Sequence, residues 1–130
     1  MPLIGCSENP GLVPFIVGSS GKERCMRVEH TPYTSGSFIV RHGQEKDFVA
    51  AVEAVAEWTI DNYSSVSEIS LFRDQTRSGR FITLFRWDDE ETIDAWRADP
   101  EFGVYMTQIR EHCEKVEVYS LVRERRFTRT

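Results

Sequence analysis

Hydrophobic and polar positions alternate most clearly over RFITLFRW, residues 80–87. Phe81, Thr83, Phe85 and Trp87 share one side of an extended chain, and Ile82, Leu84 and Arg86 share the other. Both sides are mostly apolar, which predicts a strand covered on two faces. A helix follows. Asp88 or Asp89 offers an N-cap oxygen, Glu90 and Glu91 suit the positive end of the helix dipole, and Ile93 and Trp96 recur at helical spacing. Asp99-Pro100 ends that helix and begins another.

The same reading extends to both sides. Residues 37–41 carry Phe38, Ile39 and Val40 and predict a strand closed by a His42-Gly43 turn. Phe48, Val52, Val55 and Thr59 then recur at helical spacing and predict a helix over 44–62, with Trp58 flanking the stripe. Residues 66–73 predict a strand, and the polar 74–79 loop (DQTRSG) a hairpin connection into the strand at 80–87. After Pro100, the residues Phe102, Tyr105, Met106, Ile109 and Cys113 mark one face of a third helix. A last strand is predicted over 115–123. Residues 1–35 are punctuated by Pro and Gly and read as an extension or arm. Within them Phe15-Ile16-Val17 suggests a very short strand, and the alternation over 23–30 a half-buried or edge strand limited by Pro32.

The predicted order is β, α, β, β, α(α), β. It is the split βαβ of a ferredoxin-like α+β fold, a four-stranded antiparallel sheet with helices on one face. The domain boundaries read as 1–35 for the arm, 36–123 for the ferredoxin-like domain and 124–130 for a basic tail. Helices on one side leave Ile69, Leu71, Ile82 and Leu84 too numerous for a single buried face. A homodimer packing two sheets face to face, a dimeric α+β barrel, resolves the excess.

Composition narrows the function classes. The 130 residues suit one domain, with 40% hydrophobic and 28% charged residues. A formal net charge of −5 argues against nucleic acid or an anionic membrane surface as partner. Arg123, Arg125, Arg126 and Arg129 interrupt that balance and read as a solvated tail. Cys6, Cys25 and Cys113 are odd in number and widely spaced, which suits a reducing, cytoplasmic location rather than a disulfide scaffold. His112-Cys113 is a poor chelate because helical neighbours diverge by about 100°, and no metal motif is present. No apolar run approaches the ~18 residues of a membrane span.

One resemblance becomes specific at this point. His42-Gly43-Gln44-Glu45-Lys46-Asp47-Phe48, Phe85-Arg86-Trp87-Asp88-Asp89-Glu90-Glu91 and Ala95-Trp96-Arg97-Ala98-Asp99-Pro100-Glu101-Phe102 resemble the glycine turn, Trp-ended strand and Asp-Pro helix junction of the antibiotic biosynthesis monooxygenase family. This family is one of dimeric α+β barrels, and the likeness covers about two-thirds of the chain, residues 37–122. The resemblance implies a cofactor-independent monooxygenase that oxidises a planar phenolic or polyketide-like aromatic with dioxygen, needing no metal or flavin. Trp87 matches the pocket-lining Trp of quinone-forming members and becomes the catalytic-site candidate. Where those members place polar helpers, this chain has Thr83 and Leu84, Ile93 and Met106. Haem-cleaving members offer a match only at Trp96; their Asn falls near Gly36 and their His at Met106.

The residues expected to bind a small aromatic are therefore Thr83, Phe85, Trp96, Tyr105, Met106 and Ile109, with Trp87 shaping the chemistry. Each has an ordinary alternative. Trp87, Trp96 and Tyr105 also suit core packing, and Met106 suits core filler. His42 offers a base near neutral pH or an exposed turn residue. His112 sits at the border of a helix face. Arg86, pointing away from Trp87, needs a carboxylate if buried, with Glu68 and Glu117 as candidates. The alternative function is a non-catalytic dimeric α+β barrel that binds a small apolar ligand.

Overall fold

The structure, a computed structural model, describes the backbone of residues 12–17 and 22–129 and the side chains from residue 30 to 129. The chain divides into two compact units: Pro32–Leu121, and Met1–Thr31 with Val122–Thr130.

The larger unit carries the predicted fold. Strand β2 (Lys22–Val40), of which residues 32–40 belong to this unit, leads to α1 (Glu45–Asn62), β3 (Val66–Arg73), β4 (Arg80–Trp87), α2 (Glu91–Ala98), α3 (Pro100–Glu111) and β5 (Cys113–Phe127), of which residues 113–121 belong to it. Strand β4 pairs antiparallel with β2 on one side and β3 on the other, while β5 pairs β2. The order β5-β2-β4-β3 is that of a split βαβ sheet.

The burial of β4 alternates along its whole length, as its side-chain pattern predicts. Phe81, Thr83, Phe85 and Trp87 are buried under the helices; Ile82, Leu84 and Arg86 are half-buried on the opposite face. Helix α1 buries Phe48, Val52, Val55 and Thr59, the four predicted positions. Two apolar clusters result. One joins Phe38, Val40, Phe48, Val52, Val55, Phe81, Ile109 and Cys113. The other joins Phe85, Trp87, Ile93 and Trp96.

Local chemistry sets the joints. Gly43, at φ +84°, turns the chain between β2 and α1, a conformation that disfavours any side chain. Asp89, just before the Glu90 N-cap of α2, accepts from the Thr92 amide in the first turn at 2.7 Å. Asp99 caps α3 through Oδ1, which accepts from the Glu101 amide at 2.9 Å, and Pro100 opens that helix. The second carboxylate oxygen of Asp99 accepts the Tyr63 hydroxyl at 2.6 Å, tying the exit of α1 to the α2–α3 corner. That hydrogen bond, then burial, then the carboxylate charge hold the Tyr63 phenol above its ordinary pKa.

Three boundaries differ from expectation. The first core strand is not confined to 37–41 but belongs to the long β2 (Lys22–Val40). Pro32 does not break it, because the β2–β4 ladder begins at Tyr33↔Arg86 and asks no amide of Pro32. The last strand runs to Phe127 and so includes Arg123, Arg125 and Arg126, which the sequence placed in a solvated tail. Arg86 has no salt bridge to Glu68, its neighbour in register, and Glu117 pairs with Lys115 instead. Arg86 Nε is buried without a hydrogen-bond partner.

In the smaller unit, β1 (Leu12–Val17) pairs antiparallel with the start of β2, from Leu12↔Arg27 to Val17↔Lys22. The expected strand at Phe15-Ile16-Val17 lies in β1, and the one at 23–30 lies in β2. The arm's residues 1–11 and 18–21 lie outside the described residues. His30 and Glu124 approach to 3.8 Å with both side chains largely exposed.

Candidate functional site

Between the sheet and the helices lies a cavity of about 480 Å³. Its inner wall is apolar and buried: Phe38 on β2, Val52 and Val55 on α1, Phe85 on β4, Trp96 on α2 and Ile109 on α3. Phe102 and Met106 complete the α3 side. A cavity of this size, lined mainly by apolar and aromatic groups with a few placed hydroxyls, suits a small planar molecule.

The sheet side opens because β2 has no side chain at Gly36. A Cβ there would meet the Phe38 ring at 2.5 and 2.6 Å and Thr83 Oγ1 at 3.1 Å. The Gly36 amide donates to the Thr83 hydroxyl oxygen at 2.9 Å, and the Ser35 hydroxyl donates to the Thr83 carbonyl at 2.8 Å. Two side-chain hydrogen bonds thus join the strands where they meet at the cavity.

Both indoles of the second cluster have committed N–H groups. Trp87 Nε1 donates to Thr34 Oγ1 at 3.0 Å. Trp96 Nε1 donates to Thr59 Oγ1 at 3.0 Å, and the Thr59 hydroxyl in turn donates to the Val55 carbonyl at 2.7 Å. Buried tryptophans need such acceptors. The rings pack closely, Trp87 to Trp96 at 4.9 Å and Trp96 to Phe102 at 4.2 Å between centroids.

The hydroxyls facing the cavity fall into two groups. Ser35 and Thr107 spend their protons on the carbonyls of Thr83 and Gly103. Thr34 and Thr83 instead use an oxygen lone pair to accept an N–H, which leaves each O–H free to donate into the cavity. They are 4% and 7% exposed, so a hydrogen bond they give a ligand meets little competing water. Among the described residues, no His, Asp, Glu, Lys or Cys lines the cavity; its charged lining residues are Arg97 and Arg110.

Of the residues expected to bind a ligand, Thr83, Phe85, Trp96, Met106 and Ile109 come together on this cavity. Tyr105 is not among the lining residues. Its ring packs 5.4 Å from that of Trp58. Trp87 is also outside the lining. It is fully buried, stacked on Phe85 with centroids 6.3 Å apart, and separated from the cavity by Phe85 and Trp96. His42 is exposed, and His112 Nδ1 lies 3.0 Å from Gln44 Oε1, joining the end of α3 to the start of α1. Neither histidine lines the cavity.

Sequence reasoning missed Thr34, Gly36, Arg97, Thr107 and Arg110. Gly36 carried the one usable signal, a glycine inside a β-favouring run, which marks a close approach of backbone or ligand. Among the described residues, no group of three His, Cys, Asp or Glu side chains could hold a metal ion. Nor is any helix among them long and apolar enough to cross a membrane.

Comparison with known proteins places this geometry. In fold the chain is similar to SnoaB, a cofactor-independent oxygenase from Streptomyces nogalater, with a TM-score of 0.63 at 17% identity, covering 71% of this chain and 91% of that one. It is also similar to a protein from Shewanella oneidensis (TM-score 0.65, 16% identity, 75% and 96% covered). A conserved protein from Methanosarcina mazei Go1 aligns with a TM-score of 0.64 at 14% identity, covering 71% and 91%. These likenesses speak for the fold. No curated protein matches the chain in sequence. The family model for antibiotic biosynthesis monooxygenase matches residues 35–108, more than half of the chain and most of the cavity lining. The chain belongs to the antibiotic biosynthesis monooxygenase family.

Proposed function

We propose that this protein is a cofactor-independent monooxygenase that oxidises a planar phenolic or polyketide-like aromatic with dioxygen. The observation that carries this reading is the aromatic-walled cavity with two inward O–H donors, Thr34 and Thr83, in a chain of this family. No described lining residue is an acid or base, so the proton of the ionising substrate passes to water, and the carbanion left behind is the reductant. An anthrone-type substrate ionises to a phenolate-carbanion, which passes electrons to dioxygen. A ring CH2 and O2 become C=O and H2O, so the oxidant is fully accounted for. Thr34 and Thr83 donate to the substrate's phenolate oxygen and favour the ionised form. Phe85 and Trp96 hold the ring plane and exclude water. Trp87 acts through these two rings as a positioning residue.

Oxygen consumption with anthrone-type substrates tests the reading, in chelator-treated and metal-replete buffer alike. The expected result is one O2 per quinone formed, with kcat/KM lowered at least tenfold in Thr83→Val, a conservative figure for loss of one donor to a developing oxyanion. Trp87→Phe should raise KM more than it lowers kcat. Absence of uptake across a broad aromatic panel would count decisively against turnover.

A second reading, ligand binding without chemistry, is favoured by the lack of any carboxylate, imidazole or amine among the described lining residues. Saturable quenching of tryptophan fluorescence by aromatics that are never oxidised is the result that selects it.

The protein works as a homodimer in this proposal, within a reducing cytoplasm. The sheet face away from the helices carries half-buried Ile39, Ile82 and Leu84 and exposed Phe72, Tyr119 and Leu121, the last three at 52%, 44% and 47%. A second sheet laid on it removes that apolar surface from water. Sedimentation at micromolar concentration should give a dimer, and Leu84→Arg a monomer. A monomeric wild-type protein refutes the assembly.

A further inference from the structure

The cavity is not uniform from floor to mouth. Its buried part is aromatic and aliphatic apart from Thr34, Gly36 and Thr83. Its exposed lining residues include Arg97, Gly103, Thr107 and Arg110. Gly103, Thr107 and Arg110 recur at i, i+4 and i+7 along α3 and so form one stripe at the rim. Nothing lies within 4 Å of where a Gly103 side chain would begin, so the rim is open there. Both charged lining residues are arginines, in a chain whose net charge is −5.

The two guanidinium groups are prepared differently. Arg97 is held against β5, donating through one terminal nitrogen to Ser120 Oγ at 2.7 Å and through the other to the Tyr119 carbonyl at 3.4 Å. Both partners are neutral, so its charge is oriented without being neutralised. Arg110 has no side-chain hydrogen bond or ion pair among the described residues, and its full set of N–H donors is available. One arginine is fixed and one is free, and both border the same apolar cavity. A carboxylate suits such a pair because guanidinium groups bind it in a planar, bidentate manner.

We propose that the ligand is an anionic aromatic: a planar ring body seated against Phe85 and Trp96, with a carboxylate at the mouth between Arg97 and Arg110. This inference rests on the cavity being the ligand site proposed above, and it specifies the substrate class. The acid-free lining supports it, since no side chain there repels the carboxylate. Arg110 is the selective element and Arg97 the oriented anchor.

The test separates this claim from turnover by using a fully oxidised probe that cannot be a substrate. Anthraquinone-2-carboxylate and anthraquinone-2-carboxamide are titrated into the 130-residue chain by calorimetry at low salt. The carboxylate should bind about tenfold tighter, and its advantage should shrink at 0.5 M salt because both arginines are solvent-exposed. Arg110→Gln should abolish the preference by bringing the carboxylate down to the affinity of the amide. Arg97→Gln should weaken it, with thermal melting as the check that β5 is intact, and Arg110→Lys should restore part of it. Equal affinity for the two probes, or a preference that survives Arg97→Gln/Arg110→Gln, overturns the anion-binding claim while leaving the cavity as an aromatic site. If neither probe binds, both readings fall. Oxygen uptake on neutral anthrones without any carboxylate preference sinks this inference alone.

Discussion

Thr59→Val changes one atom's worth of chemistry at the base of the aromatic wall. Thr59 is completely buried, and its hydroxyl both accepts from Trp96 Nε1 and donates to the Val55 carbonyl. Valine keeps the shape. The Val55 carbonyl retains the helical bond expected at its position in α1, so it is not orphaned. The Trp96 N–H, on a side chain only 4% exposed, is left with no acceptor. An orphaned buried donor costs about 1–3 kcal/mol, so we expect a loss near 2 kcal/mol. With a urea m value of about 2 kcal/mol/M, the midpoint falls by roughly 1 M. Trp96→Phe removes the donor itself, so Thr59→Val made in that background should cost less than about 0.5 kcal/mol. The cycle then yields a coupling of about 1.5 kcal/mol. Far-UV circular dichroism is the right probe, because the substitution disturbs an indole. If Thr59→Val costs the same in both backgrounds to within ~0.5 kcal/mol, the hydroxyl–indole bond is not what holds Trp96, and the reasoning fails.

Further outcomes follow from neighbouring contacts. Gly36→Ala should push the Phe38 ring into the cavity, lowering stability by about 1–3 kcal/mol and weakening aromatic ligand binding. Gly36→Ala/Phe38→Leu should recover binding in the same titration, and failure to recover would show that the ring is not the obstruction. Tyr63→Phe should cost about 1 kcal/mol by urea unfolding through loss of the Asp99 bond. Asp99→Ala should cost more, because the α3 cap goes with it. Asp74 is held well below its ordinary value of 3.8 by the Thr76 hydroxyl and amide, then by Arg80 and the Arg77 amide. A depressed carboxyl stabilises the fold above its unfolded pKa and loses that contribution as pH falls towards its folded one. Stability should therefore decline below about pH 4, and Asp74→Asn should flatten that acid limb while lowering stability at pH 7. An unchanged pH slope refutes the assignment.

Much of the fold was legible because periodicity and burial coincide. The alternation of β4 and the four-residue stripe of α1 reappear as buried side chains. The ends of β2 and β5 were not legible. Pro32 and Gly36 look like interruptions when pairing partners are unknown. In the sheet, Pro32 falls just outside the β2–β4 ladder and the Gly36 amide finds Thr83 Oγ1. The arginines after residue 122 suggest a tail, yet charge on an exposed strand is no obstacle to pairing. The lining of the cavity was half visible. Phe85, Trp96, Met106 and Ile109 are found by asking which apolar residues face inward. Trp87 satisfies the same question but lies one layer deeper. Arg97 and Arg110 sit on different helices, and only the fold brings both to the lining of one cavity.

The separation in sequence of the bonds that build the cavity has a consequence for the order of folding. Strands β3 and β4 close over the short 74–79 loop, a local event with little loop entropy to overcome. The Gly36–Thr83 and Trp87–Thr34 bonds instead join residues 47 and 53 positions apart. The hairpin should therefore be structured in the folding transition state, with β2 docking afterwards and the cavity closing with it. Substitutions at Thr34 or Gly36 are then expected to speed unfolding and leave the folding rate nearly untouched, while those in the hairpin slow folding. Stopped-flow chevrons in urea distinguish the two, and high φ-values at Thr34 would reverse the order. A ligand that braces β2 against β4 would then lengthen the lifetime of the folded state without hastening its formation.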